Sequence, residues 1–244
     1  YTWLSILFLK DMVMVISKHL DNTFLKGSEG QSNGWISRYL CRLISSRAVL
    51  IIAISDAVKN YFVNSKIGID QSKIKVIKYG LSTNVYHNVT TNQVNNLRDQ
   101  WGIRSDELLI GTVSRLVKQK SIEVILKAFS NFNQANGVRS RLVIVGMGPE
   151  KEKLVALCKQ LAIDKEIVWA GFREDIPIVM SSFDIFVLSS QYEGFGLVLL
   201  EAMAAKTPIV SIDKKPMSEI VEDSVSGFLV PPHNHIEFAK KIKM

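Results

Sequence analysis

Leu108-Leu109-Ile110-Gly111-Thr112-Val113 is a short apolar run with β-branched residues. Helical periodicity over residues 122–132 follows it, and then a second apolar run, Leu142-Val143-Ile144-Val145-Gly146. The alternation continues to the end of the chain. Residues 150–161 and 197–205 read as helices, whereas 167–171, 185–189, 208–212 and 227–230 read as strands. Strands that are apolar at nearly every position are buried on both faces, which implies a parallel sheet covered by helices on either side. Outward from this core, residues 1–95 repeat the pattern more weakly, with strands expected at 12–16, 49–54 and 74–77 and a helix at 56–64. Between the two patterns, residues 81–100 carry Thr90-Thr91-Asn92-Gln93 and no apolar periodicity before Leu97, so they read as a linker. The expectation is an α/β chain of two Rossmann-like domains with parallel sheets, at 1–95 and 96–244, the first of them incomplete.

Composition agrees with a globular chain. Of the 244 residues, 47% are apolar and 22% charged, which excludes disordered and fibrous classes. Two cysteines, Cys41 and Cys158, cannot build a disulfide framework, and a reducing, cytoplasmic setting is the simpler expectation. The apolar opening at 2–16 is broken by Lys10-Asp11 and falls short of the roughly 20 residues that a spanning helix needs. It also lacks the small-residue cleavage site of an export signal. Tyr1 and the amphipathic Lys240-Lys241-Ile242-Lys243-Met244 make both ends read as cut. The formal net charge of +7 sits mostly in the first third, where residues 1–80 hold 11 Lys/Arg against 5 Asp/Glu. Such a surplus suits an anionic membrane surface at the inner face, nucleic acid or a phosphorylated substrate, or serves plain solubility. No aromatic-basic motif supports nucleic acid.

Two stretches carry chemistry. Ser189-Ser190-Gln191-Tyr192-Glu193-Gly194-Phe195-Gly196-Leu197 joins a strand end to a helix start, and Glu201 follows about a turn and a half into that helix. In open α/β sheets the ligand crevice lies at the carboxyl ends of the strands, and a helix N-terminus there favours phosphate. Gly194 and Gly196 allow close approach to the backbone, and Glu193 and Glu201 set two carboxylates at different depths. On spacing alone, Glu193 is equally a first-turn charge complementing the helix dipole, and Glu201 equally a solvated face residue. The second stretch is Ser114-Arg115-Leu116-Val117-Lys118-Gln119-Lys120, which repeats the strand-to-helix logic with cations suited to a diphosphate.

Residues 108–232 resemble the donor-binding domain of the retaining glycosyltransferases of family 4, which have the GT-B fold of two facing Rossmann-like domains. The resemblance rests on Ser114-Arg115 through Lys120, on Val143-Ile144-Val145-Gly146-Met147-Gly148-Pro149 and on Ala170-Gly171-Phe172. Glu193 with Glu201, and Gly227-Phe228-Leu229-Val230-Pro231, complete it. It implies that Arg115 and Lys120 hold the donor diphosphate and that Glu201 binds the ribose. Glu193, with the backbone of Gly194, Phe195, Gly196 and Leu197, would meet the transferred sugar and phosphates. By the same resemblance, His19 is the acceptor-domain histidine that approaches the donor sugar. A nucleotide diphosphate sugar would be the donor and a hydroxyl the acceptor, on a glycan, a lipid-linked precursor or a polysaccharide precursor.

No metal is expected, and the sequence has no Asp-x-Asp motif to hold one. The sequence departs from the family pattern in three places: Ser121 and Lys206 stand where glycine is usual, and the loop Asp213-Lys214-Lys215-Pro216-Met217-Ser218-Glu219 replaces a Gly-Gly. The rival readings are a nucleotide-sugar epimerase of the same fold and a non-catalytic nucleotide-sugar-binding or partner module.

Overall fold

The computed structural model describes residues 14–18, 39, 42–43, 45–64 and 69–244. They belong to two compact units, Tyr1–Gly80 and Leu81–Met244. In the first unit, strands β1 (Met14–Lys18), β2 (Ala48–Ala53) and β3 (Ile74–Val76) form a parallel sheet in the order β1-β2-β3. Helix α1 (Asp56–Asn64) connects β2 to β3. Ser55 begins it, because its hydroxyl accepts from the Val58 amide at 3.1 Å, and Val58 and Phe62, one turn apart, are its buried face. β1 overlaps the strand expected at 12–16 over residues 14–16, and residues 12–13 lie outside the described residues.

The second unit holds six parallel strands: β4 (Leu108–Val113), β5 (Ser140–Val145), β6 (Ile167–Gly171), β7 (Ile185–Leu188), β8 (Ile209–Ile212) and β9 (Phe228–Val230). Their order is β6-β5-β4-β7-β8-β9. Chain direction across the sheet therefore reverses between β4 and β7. Because β-α-β crossovers are right-handed, helices that follow β4 and β5 cover one face, and those that follow β7 and β8 cover the other. The chain consequently parts to opposite faces beyond the ends of β4 and β7, and this opening is where such sheets take ligands. Leu109, Ile110, Leu142, Val143, Ile144, Phe186 and Val187 are wholly buried, as the continuous apolar runs require. The α-helices after β4 are α4 (Ile122–Asn136), α5 (Lys151–Gln160), α6 (Ile176–Ser182), α7 (Leu197–Ala204) and α8 (His235–Lys243). None of the helices among the described residues is long and apolar enough to cross a membrane.

The stretch expected to be a linker is instead helical, and the units divide after Gly80 rather than near residue 95. Its helices are α2 (Asn84–His87) and α3 (Thr91–Gln100), and both pack on α6. The polar Thr90-Thr91-Asn92-Gln93 is a capping box: the Thr90 amide donates to Gln93 Oε1 at 2.9 Å, and the Gln93 amide donates to the Thr90 hydroxyl at 3.3 Å. Leu97 is buried and Trp101 stacks on Phe183, with ring centroids 6.1 Å apart. Arg98 then ties α3 to the starts of β4 and β7. Its guanidinium donates to the Ser182 and Glu107 carbonyls at 3.2 and 3.0 Å and to both Asp184 oxygens, while Asp184 accepts the Leu109 amide at 2.6 Å. Arg98→Met leaves two carbonyls and a carboxylate short of a donor and is expected to destabilise the unit by about 2 kcal/mol. Urea denaturation checks this, and a loss below about 0.5 kcal/mol, the level of a surface substitution, would show the tie to be dispensable.

Candidate active site

The loop after β4 rests on the loop after β5. The Ser114 amide donates to Val145 O at 3.0 Å and the Leu116 amide to Met147 O at 2.9 Å. A Cβ at Gly146 would stand 1.9 Å from Ser114 O, and one at Gly148 would stand 2.3 Å from Leu116 O. The two glycines are therefore needed for close approach of backbone to backbone, and they support the loop that carries Arg115. Leu116 is fully buried and fixes that loop, whereas Arg115 is exposed. A 3-10 turn, Lys118–Lys120, ends at Ser121 in the left-handed region with φ 47°. Lys206, just past α7, has φ 60°. Ser121 and Lys206, two of the three departures from the expected pattern, thus occupy backbone that favours glycine.

Across the opening, the loop after β7 is fastened to this turn. The Gln191 amide donates to Gln119 O at 2.8 Å, and Gln119 Nε2 donates to Tyr192 O at 2.7 Å. The buried Ser189 hydroxyl shares its proton between Lys120 O and Ser121 O, at 2.8 and 2.9 Å. This clamp brings Lys120 Nζ to 2.5 Å from Glu193 Oε1, with the two side chains only 13% and 12% exposed. Sequence reading named both residues but gave no sign that they pair.

Gly194, Phe195 and Gly196 are buried beyond Glu193. Gly196 has φ 96° and serves as N-cap of α7, and no side chain caps that helix. The Leu199 amide donates back to Gly196 O at 2.9 Å, so the two amides before it, at Leu197 and Val198, are the ones that stand at the positive end of the dipole. Glu201 lies in the second turn, where burial raises its carboxyl above the usual value near 4.5. Tyr86 of α2 lies within reach of its charge: burial first, and the Glu201 charge second, push this phenol up to about 12. Tyr86 was hidden from sequence reading by its place in the supposed linker. Four residues of the quoted motifs had been given no role. The Ser114 and Ser190 hydroxyls, buried at the ends of the two strands that flank the opening, find no hydrogen-bond partner among the described residues. Phe172 and Met147, after the paired strands β6 and β5, expose apolar side chains at the same end of the sheet. His19 lies outside the described residues.

The strand order, the opening between β4 and β7 and the charged pair beside an uncapped helix define a Rossmann-like α/β unit with its ligand opening at the carboxyl ends of the strands. Comparison with known proteins gives the family. The model for glycosyl transferases group 1 matches residues 93–244, and the chain belongs to that family. An uncharacterized glycosyltransferase, MJ1607, of Methanocaldococcus jannaschii is 34% identical over 187 residues, which are 75% of this chain and 47% of that protein. Crystal structures of Anabaena HepE, one with UDP and glucose and one with UDP-glucose, superpose with TM-scores of 0.80 and 0.79 at 27% identity. They cover 95% of this chain and 61% and 62% of theirs. The fold is of the GT-B type, with Rossmann-like units built on parallel sheets. The chain spans about half the length of the first relative.

Glu201 joins the site to stability. Its carboxyl holds a proton more tightly in the fold than in the unfolded chain. As pH rises from the ordinary carboxylate value toward the raised one, the unfolded chain ionises first and folding stability is lost. Glu201→Gln removes that loss. It is expected to melt at a higher temperature than the wild type at neutral pH, with the difference vanishing at about pH 4, near the ordinary carboxylate range. Thermal melts at both pH values check this, and an equal difference at the two would contradict it.

Proposed function

We propose that the chain contains the donor site of a retaining glycosyltransferase that moves a hexosyl group from a nucleoside diphosphate sugar to an acceptor hydroxyl. The observation that carries this reading is the clamp that sets Lys120 and Glu193 together beside the uncapped start of α7. Arg115, Lys120 and the leading amides of α7 take the diphosphate. Glu201 accepts from the ribose hydroxyls, and the exposed Phe172 and Met147 offer an apolar face to the base. Glu193 and the backbone from Gly194 to Leu197 meet the sugar, and His19, which lies outside the described residues, keeps the acceptor-side role that the resemblance implies. Transfer with retention passes through an oxocarbenium-like transition state, in which negative charge grows on the departing diphosphate. The fixed cations and helix dipole stabilise that charge without a metal ion. The acceptor hydroxyl belongs to a glycan, a lipid-linked or a polysaccharide precursor, and the basic first third supports a peripheral contact with an anionic membrane. The HepE complexes with UDP and UDP-glucose make uridine nucleotides the first donors to test.

Titration calorimetry of the 244-residue chain with UDP, GDP and ADP, in the presence of EDTA, tests the site. Binding of at least one nucleotide is expected, and Arg115→Ala and Lys120→Ala should each weaken it by about tenfold or more, since each removes a charge-assisted contact. Unchanged affinity in both variants would remove these cations from the site. With a chain as long as the relatives it matches, NMR of the product would show the anomeric configuration of the donor if transfer is retaining.

A further inference from the structure

Lys120 and Glu193 have different duties in the donor site proposed above, one on the diphosphate and one on the sugar, yet in this structure each holds the other. A carboxylate oxygen at 2.5 Å from the ammonium makes the same contact that a phosphate oxygen would make. Two acceptors thus compete for one cation. The competition is strong because little water reaches either side chain, so charges there are weakly screened.

Building on the donor-site reading, we infer that Glu193 is an internal competitor of the diphosphate. It covers Lys120 when the site is empty, yields it when donor arrives, and takes it back as the nucleoside diphosphate leaves. The clamp makes this a side-chain exchange. Gln119 and Ser189 bind backbone carbonyls of both loops, through contacts that need no ligand, so Lys120 and Glu193 keep their Cα positions while the Glu193 carboxylate turns. Donor gives that carboxylate a new partner in the sugar hydroxyls. Free nucleoside diphosphate has no sugar to offer it. Glu193 therefore opposes the product more than the donor and speeds product release, a step that limits turnover in many enzymes.

Glu193→Gln keeps the shape and removes the charge. By titration calorimetry it is expected to bind UDP about five- to tenfold more tightly than the wild type, the equivalent of one displaced charge-assisted contact. Glu193→Asp, one methylene shorter, should fall between them. On a Lys120→Met background the gain from Glu193→Gln should shrink to a small part of this, because the cation in dispute is gone. An equal gain on both backgrounds would reduce the effect to plain charge repulsion, and no gain or a loss would make Glu193 a support for Lys120; either result overturns the inference. Such results leave the donor site standing so long as the wild type binds UDP and Lys120→Met weakens it. Failure of every variant and of the wild type to bind UDP, GDP or ADP would overturn the donor-site reading and this inference with it. Tighter binding cannot come from a misfolded variant, so the expected outcome does not depend on unchanged stability.

Discussion

The clamp between the loops after β4 and β7 is the constraint on which the site depends. At this point in the sheet the chain leaves β4 for one face and β7 for the other, so nothing in the ladder of strand hydrogen bonds holds the two loops together. Four short hydrogen bonds do so instead, from Gln191, Gln119 and Ser189 to carbonyls at 119–121 and 192. They join residues about seventy positions apart in the chain, and they set an ammonium against a carboxylate with most water excluded. Without that fastening, Lys120 and Glu193 would be ordinary surface charges.

The rest of the second unit supports the clamp by close packing. Gly146 and Gly148 let the Arg115 loop rest on its neighbour, and Leu116 pins it from beneath. Gly196 turns the chain out of the Glu193 loop and into α7 with no capping side chain, which keeps the helix dipole open to an anion. Glu201 is held in surroundings that disfavour its charge, and Tyr86 shares them. A buried carboxyl of this kind costs the fold stability at neutral pH, a cost often found where function places the group.

Much of this was legible in the sequence. The six strands of the second unit were read to within two residues, because apolar runs broken by glycine and proline leave few alternatives. What escaped was whatever depends on contacts distant in sequence or on backbone angles. The segment at 81–100 looked like a linker because its hold on the unit is a capping box, one leucine and one arginine rather than an apolar stripe. Its Thr-x-x-Gln signature was the available signal. The positive φ of Ser121 and Lys206 left no trace in residue type, since neither is glycine, and only a resemblance marked those positions. The pairing of Lys120 with Glu193 could not be read from spacing, since it is made by the order of strands.

Hydrogen exchange of the chain with and without saturating UDP measures the central claim most directly, since it reports where the nucleotide acts on each amide. The account requires added protection at 114–121 and 191–201, the two loops and the start of α7. It also requires amides at the opposite end of the sheet, around Glu107 and 139–141, to keep their rates. Protection concentrated at that opposite end, or UDP binding with no change in either loop, would contradict the claim that the opening between β4 and β7 is the donor site.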